Sequence, residues 1–206
     1  KELKQVWHNL KLDRRLKRYL EAFFVFSMAV QTIMLMAVYF GEKEISWATD
    51  SEKTTGLIIS ILVIQLVAVL GAYVTSKASA KFGNIKTLIF VNFIWLCLCF
   101  YAFFMVTPMQ FYIAAGLVGL VMGGVQSLGR STYSKFLPET EDTTSYFSFY
   151  DVAEKIGIVI GMFLYGFIAQ ITGSMRYSIL FLVTFFIAGA LILSTIKNIK
   201  TEETPY

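Results

Sequence analysis

An all-α membrane protein of six transmembrane helices, entered through a basic amphipathic helix, is the fold class that this sequence predicts. Three observations predict it. The chain is 56% hydrophobic, with a mean hydropathy of +0.64. Only 16% of its 206 residues are charged, against roughly 25% in soluble globular domains. The apolar residues gather into six stretches of about 17 to 25, the length that crosses a hydrocarbon core of about 30 Å at about 1.5 Å per helical residue. Soluble core helices rarely stay apolar around the whole circumference for six consecutive elements, and a β-barrel shows short alternating segments instead.

The elements follow in chain order. In Lys1–Arg18, residues Leu3, Val6, Trp7 and Leu10 recur at helical spacing and Leu16 and Leu20 extend the stripe, while lysines and arginines fill the other face. That pattern predicts an amphipathic helix on a membrane surface or against a neighbouring domain. It lacks the small-residue cleavage site of a signal peptide. The chain opens on lysine rather than methionine, as a piece of a longer protein would. The six-span region, residues 19–197, divides into Tyr19–Phe40, Gly56–Ser76, Lys86–Val106, Pro108–Arg130, Ser145–Ile171 and Tyr177–Lys197, with a tail over 198–206. The fourth span is expected to continue as helix beyond Arg130 until Pro138 stops it.

Orientation follows from basic residues. Fourteen of the eighteen lysines and arginines fall in Lys1–Arg18, Lys77–Lys86, Arg130–Lys135 and the C-terminal end from Lys197, whereas Lys43, Lys53 and Arg176 lie on the other side and Lys155 within a span. The positive-inside rule places both termini in the cytoplasm and the acidic loop Gly41–Lys53 outside. The net charge of +4 is thereby a topology signal, and no nucleic-acid partner is expected.

Enzyme chemistry finds little to work with. His8 is the one histidine, which excludes His-based metal sites and catalytic triads within the spans of this chain. Cys97 and Cys99 lie two apart in the third span as packing residues. There is neither a nucleophile elbow nor a phosphate-binding glycine loop, and Asp151 is the one aspartate within a span, so no paired-aspartate site forms. No catalytic residue, metal or cofactor is expected.

What remains is polar residues inside the spans. Gln31 and Gln65 fall near the middle of the first and second; Gln126 and Arg130 occupy the last turns of the fourth; Asp151, Glu154 and Lys155 enter the fifth. Each has a bland reading: Arg130 as an interfacial anchor with Asp151 as its counter-ion, the glutamines as interhelical glue. Lys155 lies about 15 Å into its span, where an unpaired lysine is unfavourable by about 2.5 to 3.5 kcal/mol, so a partner or water is expected beside it. Asp151 and Lys155 share a helix face, as do Gln126 and Arg130. Gly119, Gly123 and Gly124 in the fourth span, and Gly157 and Gly161 in the fifth, permit close backbone approach. The expectation is that these two helices cross at their glycines and bring both polar stripes together.

GGVQSLGRSTYSKFLPE (Gly123–Glu139), with YFSFYDVAEK (Tyr146–Lys155) downstream and FFVFSMAVQTIMLMAVYFGEKE in the first span, resembles the C-terminal half of a major facilitator superfamily transporter. Within that superfamily it resembles the vacuole effluxer-like family, whose fourth-span pattern runs roughly Gly-Gly-x-Gln-[Ala/Ser]-x-Ser-Arg-Ser. The match runs through Gly123, Gly124, Gln126, Ser127, Arg130 and Ser131 and departs at Gly129, where the family often has serine. GAYVTSKASAKFGNIK (Gly71–Lys86) matches the superfamily's cytoplasmic loop at Lys81, Gly83 and Lys86, but Ala80 stands where the acidic residue of a latching salt bridge would be.

The resemblance covers all six spans. It implies two inverted three-helix repeats, with MAVQT (Met28–Thr32) and GGVQS (Gly123–Ser127) in equivalent spans, paired with an N-terminal six-helix half to which Lys1–Arg18 is the linker. It implies half of a secondary active transporter in a lipid bilayer, in a bacterial inner membrane, moving a small solute such as an amino acid by alternating access, in the direction of efflux. Lys155 would attract a carboxylate, Asp151 or Glu154 would carry a coupling proton, and Gln31, Gln65 and Gln126 would orient solute or water. An isolated half is expected to self-associate as a homodimer through the face the missing half would cover. The contrasting reading is a six-helix interaction or scaffold module that moves nothing.

Overall fold

The computed structural model describes residues 13–137 and 143–196. Most of the expected amphipathic helix, Pro138 and the tail over 198–206 lie outside the described residues. Within them the chain forms six helices: α1 (Arg14–Glu44), α2 (Asp50–Phe82), α3 (Asn84–Phe104), α4 (Pro108–Phe136), α5 (Thr143–Thr172) and α6 (Met175–Ser194). Every expected span is present. The ends differ, because backbone capping rather than hydropathy sets them.

Asp13 caps α1, its Oδ1 accepting from the N–H groups of Arg15 at 2.9 Å and Leu16 at 3.1 Å. Arg14–Arg18 therefore belong to the first spanning helix and not to a separate surface helix. Thr49 caps α2 and Ser174 caps α6. At α4, Thr107 and Gln110 form a reciprocal capping box with Pro108 in the first turn, where its missing N–H costs nothing. α4 continues beyond Arg130 to Phe136. Two glycines with positive φ make the tight turns into α3 and α6: Gly83 at 87° and Gly173 at 73°, a region that other residues rarely adopt. The helices fall into two lengths: α1, α2, α4 and α5 have 31, 33, 29 and 30 residues, α3 and α6 only 21 and 20.

The packing has the symmetry of two inverted three-helix repeats. α1 packs on α5 and α6, and α4 packs on α2 and α3, while α3 meets α6 along their lengths. Exchanging α1–α3 with α4–α6 maps α1–α5 onto α4–α2 and α1–α6 onto α4–α3, and leaves α3–α6 as the pair on the symmetry axis. The central core is sealed by Tyr19, Phe26, Trp95, Leu182 and Phe186, all fully buried, with Trp95 stacked on Phe186 at 5.8 Å and 7°.

The glycines correct one expectation. Gly119, Gly123 and Gly124 of α4 do not meet α5. A Cβ on Gly71 would overlap the carbonyl of Leu120, one on Gly123 the carbonyl of Ala68, and one on Gly124 the Thr75 hydroxyl, while Gly119 faces the carbonyl of Ile64. This seam joins α4 to α2. The glycines of α5 form a second seam with α1: Gly161 against Thr32 and Met28, and Gly157 against Phe24 and Met28. Small residues let the backbones of lipid-embedded helices approach, and the repeat symmetry places the two seams in equivalent positions. α4 and α5 are instead linked by long side chains, Arg130 to Asp151 and Tyr133 to the Tyr146 carbonyl.

At the end of the bundle opposite the start of α1, a polar clamp joins three helices. Arg176 Nε donates to Glu44 Oε2 at 2.8 Å, Nη1 to the Phe103 carbonyl at 2.7 Å and Nη2 to the Glu44 carbonyl at 2.8 Å. Glu44 Oε1 accepts from the Ser174 hydroxyl and the Met175 N–H. Both side chains are under 20% exposed, so removing one partner strands the other. Arg176→Ala is expected to lower stability by about 2–3 kcal/mol, read as a fall in melting temperature in detergent, whereas exposed Lys43→Ala leaves it unchanged. Equal melting temperatures would reduce the clamp to a surface ion pair.

Candidate functional site

A cleft of about 420 Å³ opens among α1, α4 and α5, lined by Phe23, Ser27, Val30, Gln31, Val125, Gln126, Ser127, Arg130, Tyr150 and Glu154. Its floor, toward the start of α1, is aromatic. Phe23 stacks on Tyr150 with centroids 4.1 Å apart, Tyr150 meets Tyr133 at 4.9 Å, and Tyr19 meets Phe136 at 5.4 Å. Two buried hydroxyls tie this cluster to neighbouring backbone: Tyr19 donates to the Gly129 carbonyl at 2.6 Å and Tyr133 to the Tyr146 carbonyl at 2.8 Å. Gly129, where the fourth-span pattern departs from serine, lies here; a Cβ on it would stand 3.3 Å from the Tyr150 hydroxyl and 3.6 Å from Phe23.

Charge is arranged at two points of the cleft. Arg130 Nη2 donates to Asp151 Oδ1 at 3.1 Å, and its guanidinium carbon lies 5.8 Å from the Tyr150 ring centroid. The pair is roughly half exposed, at 57% and 49%, so its contribution to stability is small. A guanidinium has five donors, and among the described residues Arg130 uses one in a hydrogen bond to protein, against the three that Arg176 uses in its clamp. Arg130 thus keeps donors for a ligand. At the other point, Gln31 Nε2 donates to Glu154 Oε1 at 2.7 Å. An amide orients a carboxylate without neutralising it, so the Glu154 charge stays available to a cation.

The structure brings together Gln31, Gln126, Arg130 and Glu154 in the cleft, with Asp151 behind Arg130. Two sequence candidates stand apart. Gln65 is exposed on α2 beside Leu62 and Leu66, which are 57% and 72% exposed, and it does not line the cleft. Lys155 is exposed on α5 and has no ion pair among the described residues. Asp151 pairs across to α4 rather than along its own helix, because Arg130 reaches it first. Near the second sequence motif, Asn84 donates to the Thr132 hydroxyl at 3.0 Å and accepts from Lys135 at 3.3 Å. That amide link joins the α2–α3 turn to α4 where Ala80 leaves no acid for a salt bridge. Sequence reasoning missed Ser27, Phe23 and Tyr150; the first two lie four and eight residues before Gln31, on the same helix face, which is the signal that could have found them.

Six apolar helices in inverted repeats, with a polar cleft among three of them, define a multi-pass membrane protein with the major facilitator superfamily fold. The chain belongs to the family described as vacuole effluxer Atg22 like, whose profile matches residues 1–204. It is 30% identical over 199 residues to YxiO, an uncharacterized MFS-type transporter of Bacillus subtilis (strain 168), covering 96% of this chain and 45% of that protein. It is 28% identical over 176 residues to autophagy-related protein 22 of Saccharomyces cerevisiae (strain ATCC 204508 / S288c), covering 79% of this chain and 32% of that protein. Among solved structures, the E. coli fucose:proton symporter FucP superposes with a TM-score of 0.74 at 19% identity, over 94% of this chain and 45% of that one. The chain therefore spans less than half the length of these relatives, which are transporters or members of an effluxer family.

Proposed function

We propose that this chain is the C-terminal half of a secondary active transporter that exports a small zwitterionic solute of the amino-acid type by alternating access. The observation that carries the reading is the cleft between α1, α4 and α5, with a cation at Arg130, an anion at Glu154 and apolar walls from Phe23, Val30, Val125 and Tyr150. A carboxylate would bind Arg130 in competition with Asp151, an ammonium would bind Glu154, and the apolar walls would take a side chain. Gln31 and Gln126 would orient solute or water. Glu154 would carry a coupling proton, as an intramembrane carboxylate that lines the cleft and has no ion pair among the described residues. The test is flux of labelled amino acids into proteoliposomes holding the full-length transporter, comparing Arg130→Ala and Glu154→Gln with the parent.

The N-terminal half would cover the exposed apolar faces of α2 and α5, which include Leu66, Val69, Val159 and Phe163, each about 70% exposed. Lys155 and Gln65, exposed on those same two helices, would meet their partners there. Residues 1–18 would link the halves. The basic asymmetry supports cytoplasmic termini, and the membrane would be a bacterial inner membrane. Single cysteines at Lys81 and Ser51 read the orientation: labelling of the first only from the cytoplasmic side and the second only from outside is expected, and the reverse pattern would overturn it.

A further inference from the structure

We propose that the Ser27 hydroxyl contacts the transported solute, donating a hydrogen bond to one of its acceptor oxygens midway between Arg130 and Glu154; this rests on reading the cleft as the solute path. Ser27 is 3% exposed, and its Oγ has no hydrogen-bond partner among the described residues. That sets it apart from Ser127, the other serine lining the cleft, and from Thr32 on α1 and Thr132 on α4, which return their protons to the carbonyl one turn back. Thr32 donates to Met28 at 2.7 Å, Ser127 to Gly123 at 2.9 Å and Thr132 to Leu128 at 2.6 Å. An enclosed hydroxyl left unpaired is unfavourable, and buried polar groups in folded proteins nearly always have a partner. Ser27 lines the cleft, so its partner is whatever occupies the cleft.

Its position fixes which part of an occupant it meets. On α1, Phe23 stacks on Tyr150 beside Arg130, and Gln31 holds Glu154. Ser27 is four residues from each and on the same face of the helix. A solute with its carboxylate toward Arg130 and its ammonium toward Glu154 therefore passes the hydroxyl. Ser27 is then a third recognition point, supplied by a helix other than those carrying the two charges.

The experiment uses the full-length transporter in a Cys97→Ser, Cys99→Ala background. Ser27→Cys is expected to react with a water-soluble anionic methanethiosulfonate, and a mixture of L-amino acids at saturating concentration is expected to slow the reaction several-fold. Ser27→Ala is expected to raise the KM for amino-acid flux roughly 3- to 10-fold at unchanged maximal rate, the loss of one hydrogen bond, with Ser27→Thr restoring it. Inert Ser27→Cys beside a reactive Gln126→Cys would overturn the proposal. So would labelling without protection combined with an unchanged KM in Ser27→Ala, which would leave only water on the hydroxyl. Failure of the solute-path reading shows separately, as undiminished flux in Arg130→Ala and Glu154→Gln.

Discussion

Valine at Gly71 or Gly123 is expected to cost about 3 kcal/mol and to lower the melting temperature markedly. At these two positions the obstacle is a backbone carbonyl of the facing helix, Leu120 for Gly71 and Ala68 for Gly123, and a carbonyl cannot turn aside as a flexible side chain can. Relief requires α2 and α4 to separate along the seam, which would also withdraw Thr75 from Gly124 and Ile64 from Gly119. Overpacking of this kind typically costs about 1–3 kcal/mol, and rigid obstacles lie at the upper end. Gly116, on the same α4 helix, has nothing within 4 Å of where its Cβ would be, so Gly116→Val is the matched control for helix propensity. Thermal unfolding in detergent, followed by loss of the monodisperse peak, compares the three variants. Equal melting temperatures for Gly71→Val and Gly116→Val would show that the seam tolerates separation.

In proteoliposomes, Arg130→Ala and Glu154→Gln are each expected to lower amino-acid flux about tenfold or more, while expression and melting temperature stay near the parent values. The size follows from losing one charge-assisted hydrogen bond to the solute, about 1.5–3 kcal/mol. The folding effect is small because the Arg130–Asp151 pair is half exposed and contributes about 0–1 kcal/mol. Lys155→Ala tests the other face: exposed and without an ion pair among the described residues, it is expected to abolish flux through a contact with the N-terminal half while leaving folding intact. Wild-type flux in Arg130→Ala and Glu154→Gln together would sink the cleft as a solute path and favour a six-helix module that moves nothing.

The six helices were legible because lipid imposes one rule, a long apolar run, that sequence displays directly. Their ends were less so. Asp13, Thr49 and Ser174 are caps that lie outside the hydropathy signal, and they lengthen α1 and α2 at their starts and begin α6 two residues early. The cleft was legible residue by residue, since Gln31, Gln126, Arg130 and Glu154 are polar where apolar residues are the rule. Which helices those residues would join was not. Glycine spacing tells that a helix is approached closely and carries no information about the neighbour, so the seams of α4 and α5 were assigned to each other instead of to α2 and α1. Ser27 escaped because serine in a spanning helix usually bonds to its own backbone, and only the structure shows that this one does not. Glu44 and Arg176 were hidden by distance: 132 residues apart, each read alone as a loop charge.

The unequal helix lengths carry a consequence for the surrounding lipid. At about 1.5 Å per residue, α3 and α6 are about 30 Å long, the thickness of the hydrocarbon core itself. The four longer helices reach about 44–50 Å and extend well into the headgroup regions. Hydrophobic mismatch therefore falls unevenly on this protein. A thicker bilayer leaves α1, α2, α4 and α5 with helix to spare but outgrows α3 and α6, whose mutual packing makes them respond together. A thicker bilayer would therefore strain this short pair first, and tilting offers it no remedy, because tilt shortens the span of a helix that is already no longer than the core.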